Sequence, residues 1–197
     1  MAARLSLVLA SALLVQSGIA QSELWQHVGS HPTPKLASVT LSPSQQKSIR
    51  GLLKARESLD GWACDSTTDA EWLNDLSYKT IPLSPGVKVL LIEAGRGCAR
   101  GGQGSNGAMW LIRFDGLKPT LLASPQQGFN GWLYSVEPNA SSGYRDIVLG
   151  WHLSAFEAGL SYFRFDGKSY RLISSATSRE DDDGTPRIIP GPRTVPQ

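Results

Sequence analysis

The side chains best able to do chemistry are few and scattered. The histidines are His27, His31 and His152, and only His152 sits in a patterned segment, "DIVLGWHL". Asp146 shares its strand face, but six residues of strand separate the two by roughly 20 Å. That is too far for the His–Asp pair of a triad, and neither Ser105 nor Ser154 stands at a spacing that makes it a nucleophile beside His152. "GQGSNG" at 102–107 has the form GxGxxG, yet the strand-like "AMWLIRF" follows it. A pyrophosphate site needs a helix N-terminus at that point. There is no GxSxG elbow and no HExxH. Asp65, Asp69, Glu71 and Asp75 form an acidic patch. A calcium loop would need a central Gly with ligands at alternate positions, so the patch reads as helix caps and a solvated face. The expectation is a protein that is not an enzyme, with no catalytic residue, no metal ion and no cofactor.

Two other groups of residues suggest roles. Cys64 and Cys98 are the only cysteines. An even pair without metal or CxxC spacing reads as one disulfide in an oxidising compartment. It would close a loop of about 35 residues, stabilising by about 3–4 kcal/mol in the chain-entropy account. "GFNGWLY" and "SSGYRD" carry aromatic rings in turn-rich settings. Rings presented from loops stack on sugars or anchor partners, which makes Phe129, Trp132 and Tyr144 the candidate contact residues. The competing reading is that Trp132 and Tyr134 pack in the core.

The ends and the charge bound the setting. "MAAR" is followed by the short apolar run "LSLVLASALLV", then Gly18 and Ala20 ahead of Gln21. This is the three-part pattern of a secretory signal peptide over residues 1–20. No later stretch is long and apolar enough for a transmembrane helix. Without Arg4 the chain has 18 basic against 17 acidic side chains, and no basic stripe suggests nucleic acid. An exported protein, periplasmic or extracellular, is expected. Its partners would be an exported protein or a cell-wall polymer.

The elements follow from pattern. Residues 21–40 read as a loose lead-in, 41–177 as one α+β domain and 178–197, charged and Pro-rich, as a disordered tail. Ser42 and Pro43 open a helix over 42–59 whose Ile49, Leu52, Leu53 and Leu59 share a face. "TDAEWLNDL", with Thr68 and Glu71 as a capping box, reads as a second helix. From Val87 the chain reads as β, with strands at 87–93, 109–114, 121–124, 132–138, 146–153, 160–165 and 169–175. Two stretches repeat, "MWLIRFDGLKPTLLAS" and "LSYFRFDGKSYRLISS", 51 residues apart. In both, Asp-Gly between alternating strands predicts a type I′ hairpin. It would set Phe114 opposite Leu117 and Phe163 opposite Tyr170. With a strand ahead of each, the unit is a three-stranded meander present twice. The fold expected is N-terminal helices packed on a mainly antiparallel sheet, as a sandwich or partly open barrel.

The run "GYRDIVLGWHLSAFEAGLSYFRFDGKSY" resembles stretches of secreted bacterial proteins of unknown function with a "DIVL…YFRFDGKxY" pattern. The resemblance covers about the last third of the chain and implies no mechanism. FG-GAP/VCBS propeller repeats are a weaker likeness; both copies here lack their DxNxDG loop, and two units cannot close a propeller. "SSGYRD" is similar to the Ser-Gly-x-Tyr recognition motif of periplasmic lysozyme inhibitors, one residue short between Gly143 and Tyr144. The leading expectation is an exported, non-enzymatic binding or accessory protein. The alternatives are an inhibitor of a cell-wall hydrolase, which the second resemblance implies, and a hydrolase of unrecognised type.

Overall fold

The computed structural model describes residues 23–30, 33–56, 73–95, 106–181 and 183–191. The leader at 1–20, Cys64, Cys98, His31 and the Thr68–Glu71 capping pair lie outside the described residues. Helix α1 spans Pro43–Arg56. Ser42 Oγ accepts from the Gln45 amide at 3.3 Å, and Gln45 Oε1 accepts from the Ser42 amide at 3.1 Å. That reciprocal pair satisfies two amides the first turn leaves open. Ile49 and Leu53 are fully buried while Lys47 and Lys54 are exposed, so the apolar stripe of the helix lies on the sheet.

The strands are β1 Ala37–Ser38, β2 Leu76–Ile81, β3 Val89–Ala94, β4 Gly107–Asp115, β5 Lys118–Ala123, β6 Asn130–Ser141, β7 Tyr144–His152, β8 Glu157–Phe165, β9 Tyr170–Glu180 and β10 Pro186–Pro190. Every pairing is antiparallel. Together they form one ten-stranded sheet in the order β1-β2-β3-β4-β6-β7-β8-β9-β10, with β5 beside β4. Alternation then sorts the side chains. Leu90 and Ile92 of β3 join Trp110 and Ile112 of β4 against Ile49 and Leu53 of α1. Val89, Leu91, Met109 and Leu111 point the other way, into a cluster shared with Ile147, Leu149, Phe163 and Phe165. Val148, Leu160 and Tyr162 face a third cluster.

The hairpin registers differ from the expectation. Asp115 pairs with Lys118 and Phe114 with Pro119, leaving Gly116 and Leu117 as the loop. A type I′ turn needs positive φ at both central residues. Here only Gly116 (φ 64) has it, the pattern of a II′ turn with Gly in first place. In the later hairpin Phe165 pairs with Tyr170 across a four-residue connection. Asp166 Oδ1 accepts from the amides of Lys168 and Ser169, both at 2.8 Å, closing the loop through a side chain. Those amides and Arg171 hold the Asp166 carboxyl down at about 2. The type I′ geometry lies elsewhere, at Ser142 (φ 49) and Gly143 (φ 80), between β6 and β7.

Both termini are more ordered than composition implies. In the lead-in, a helical turn at 23–26 buries Trp25 and Val28 on the outer face of β8 and β9. Trp25 Nε1 donates to Ser174 Oγ at 2.8 Å, and its ring meets Tyr162 edge-on at 5.7 Å. The expected disordered tail instead extends β9 to Glu180 and adds β10. Its acids gather in the connecting turn, where the Gly184 amide donates to Asp181 O and the Thr185 amide to Asp183 Oδ1. Its prolines are tolerated because β10 is an edge. Gly191 donates its amide to Ser175 O at 2.8 Å, which sets the ladder bonds on alternate residues and turns Pro186 and Pro190 outward.

Candidate functional site

The connection between β7 and β8, residues 153–156, exposes large apolar side chains. Phe156 is 70%, Leu153 54% and Trp151 40% accessible; Phe156 lines the adjacent groove, and Trp151 and Leu153 do not. A groove of about 310 Å³ opens here, between this connection, the start of β6 and the β9–β10 turn. Ala158 and Ser178, cross-strand partners, line it, with Trp132 and His152 on one side and Phe156 and Pro186 nearby. Trp132 and His152 rings lie 4.9 Å apart at 50°.

The backbone explains why the indoles lie as they do. A Cβ at Gly150 would stand 2.5 Å from Trp132 Cε2, so the bare glycine is the seat on which that ring rests. Trp151 lies in the same way over Gly159, its cross-strand neighbour. The end of the hairpin is held from several sides. Asn106 brackets His152, accepting from its amide at 2.8 Å and donating to its carbonyl at 3.4 Å. The amides of Leu153 and Ser154 both donate to Glu157 O, and the Glu180 amide donates to Phe156 O at 3.1 Å. Apolar groups held this way lose little further entropy when a partner arrives.

The electrostatics around the groove are acidic. Glu157 and Glu180 line it, and Asp181 and Asp183 follow in the adjoining turn. The Thr185 amide holds the Asp183 carboxyl below the ordinary range. Arg179 stands 3.7 Å from Glu157, with 62% of its side chain accessible. Among the described residues no ion pair engages Glu180, and no hydrogen bond joins the His152 ring to Ser154, Glu157 or Glu180. Among the described residues, the ring contact of His152 is the tilted one with Trp132.

Of the three contact residues expected from sequence, the structure brings only Trp132 to this groove. Phe129 is fully buried, edge-on to Phe163 at 5.2 Å. Its loop position misled: it follows a 3₁₀ turn at Pro125–Gln127 that tucks the ring inward. Tyr144 opens β7 and is 6% accessible, with its ring 4.4 Å from Phe165 and its hydroxyl accepting from Arg113 at 3.4 Å. Neither ring is presented to a partner. Trp151 and Leu153 were not candidates because they continue the apolar alternation of β7, and Phe156 was not because it lies in the connection that follows, where no pattern marks it.

Asp146 and His152, candidates for a shared face, are engaged separately. Asp146 is fully buried; Arg164 donates to it at 2.8 and 3.1 Å and the Tyr162 hydroxyl at 3.1 Å. Burial, then the Asp146 charge, pushes the Tyr162 phenol up; burial does the same at Tyr170. Glu137, also buried, accepts from the Ser135 hydroxyl. Asp146 is thus engaged by Arg164 and by Tyr162, the ring that meets Trp25 of the N-terminal turn, while the Tyr170 hydroxyl donates to Arg145 O at 2.8 Å. A wider groove along α1 is lined by Lys47, Arg50 and Lys54, where Arg50 donates its two terminal nitrogens to Asn74 and Gln46 and its buried Nε meets no acceptor among the described residues. Among the described residues, no helix is long and apolar enough to cross a membrane and no group of metal-binding side chains gathers. No family model matches the chain, and no curated protein or solved structure is similar to it.

Proposed function

We propose that this chain is an exported, non-enzymatic binding protein that engages an exported protein or a cell-wall polymer through the β7–β8 end. The observation that carries the reading is the exposed Phe156 ring beside the tilted Trp132–His152 pair, lining an open groove whose backbone is held by hydrogen bonds, with the exposed Leu153 adjoining in the same connection. Isolated exposed hydrophobes are ordinary on a protein surface; a cluster fixed around a concavity marks an interaction site. Export rests on the leader pattern at 1–20. The bridge between Cys64 and Cys98 belongs to the same proposal, since both would meet an oxidising compartment.

The hydrolase-inhibitor reading fits this end of the molecule better than "SSGYRD". There the tight turn offers only Ser142 and Gly143, with Tyr144 buried and Arg145 donating to the carbonyls of Val136 and Glu137. The meander is also proposed as a duplicated unit in a sandwich-like arrangement. Ile112–Leu121 and Phe163–Leu172 are cross-strand pairs 51 residues apart, each beside a register shift, and both halves feed one buried cluster.

The test is co-sedimentation of the mature protein, beginning at Gln21, with insoluble cell-wall polymer, alongside titration with a purified wall hydrolase such as a lysozyme. A Trp132→Ala, Phe156→Ser variant serves as control. Binding to either material that the variant loses about tenfold or more supports the proposal, since removing a central aromatic anchor costs on the order of 1–2 kcal/mol or more. Equal binding by protein and variant, or binding to neither material, overturns it.

A further inference from the structure

We infer that the groove receives a cationic side chain, guanidinium or ammonium, presented by a basic protein partner and flanked there by apolar contacts. This rests on the binding reading above and names what that site takes. The first argument is charge. Glu157 and Glu180 line the groove and, among the described residues, no Lys or Arg does; Glu180 stands opposite Pro186 and no ion pair engages it. Arg179 pairs in register with Arg187 and Glu157 and reaches the Glu157 carboxylate at 3.7 Å from outside the lining, so Glu157 is partly compensated and Glu180 carries the charge. Asp181 and Asp183 add negative charge at the mouth. Such a rim draws a positive group in and rejects an acidic surface, an anionic lipid headgroup included.

The second argument is the aromatic floor. A cation gains from the face of an indole or phenyl ring, and Trp132 is the strongest such platform. Gly150 and His152 fix its plane, and the Phe156 ring stands open across the groove. A guanidinium would meet a ring face on one side and a carboxylate on the other. A stem of methylenes would lie against Ala158 and Pro186. The exposed Phe156 then needs an apolar residue beside the cation in the partner.

The experiment pans a random heptapeptide display library on the full mature chain, with counter-selection on Trp132→Ala. Enriched peptides are synthesised, and their affinities are measured by tryptophan fluorescence at low and high salt. The expected peptides carry Arg or Lys next to an apolar residue. Replacing Arg with citrulline should weaken binding about tenfold, and Glu180→Gln about three- to fivefold, with a further loss at high salt. Glu180 is exposed, so Glu180→Gln leaves folding intact, and circular dichroism checks both variants. Peptides that need Trp132 but bind equally well with citrulline would overturn the cation inference while leaving the groove reading in place. So would fluorescence quenching by soluble N-acetylglucosamine oligomers in place of any peptide. If no peptide, sugar or wall material binds in a Trp132-dependent way, the groove reading itself fails.

Discussion

Arg164 and Asp146 form an ion pair whose two members pay very different penalties for being left alone. The Asp146 carboxylate has no exposed surface, whereas 41% of the Arg164 side chain reaches water. Removing the cation therefore strands a buried charge, but removing the carboxylate's charge frees an arginine that can turn outward. Arg164→Leu is expected to destabilise by about 3–5 kcal/mol, the range for breaking a buried pair from one side. Asp146→Asn, which keeps an acceptor for the Tyr162 hydroxyl, should cost only about 1–2 kcal/mol. Urea unfolding of both variants checks the order; equal losses would mean that Asp146 finds other partners. At this scale the sequence was least informative. It placed Asp146 on a strand face beside His152 in pattern, but the choice of Arg164 and Tyr162 as partners depends on β8 lying alongside β7, a contact no local pattern encodes.

Turns show how far element-level signals carry. Asp115-Gly116 and Asp166-Gly167 located both hairpins, since nothing but a chain reversal suits that dipeptide between alternating strands. Their registers went to Gly116-Leu117 and to an Asp166-capped loop, because Asp115 keeps its place in the strand, where its carboxylate pairs with Arg113 at 2.9 Å. The true I′ turn carries Ser142, the one non-glycine at positive φ among the described residues. Ser142→Asn, which makes the turn Asn-Gly, is expected to stabilise by about 0.5–1 kcal/mol. Thermal melts check this, and an unchanged or lowered midpoint would count against it. Helix α1 begins where its cap predicts, because cap and stripe are local; residues 57–59 of the expected helix lie outside the described residues. β2 and β10 were not legible: β2 is half-buried through most of its length and alternates weakly, and β10 is short with proline at both ends. Strands of this kind exist because a neighbour offers an edge, so their signal lies in another part of the chain. The candidate groove was legible only through Trp132.

On the scale of the whole molecule, the two ends of the chain converge. Trp25 and Val28 enter the same cluster as Ala176, and Ile188 packs against it. Trp25→Ala should cost about 3–5 kcal/mol, as for other large side chains removed from a packed site, with the Ser174 hydroxyl also losing its donor. Denaturant unfolding reads the loss, and a change below about 1 kcal/mol would mean that the turn is only an appendage. The consequence reaches beyond stability, to the order of events during synthesis or passage through a pore. A chain that emerges N-terminus first carries Trp25 out 149 residues ahead of Ser174. Until β9 follows, that ring has no surface to cover. The outer layer closes last, when the final strands arrive, and contacts of such long sequence separation make slow folders. Were the chain exported, as proposed, late closure would have a use: it would keep the pliancy that passage through a pore requires until almost all of the chain was through.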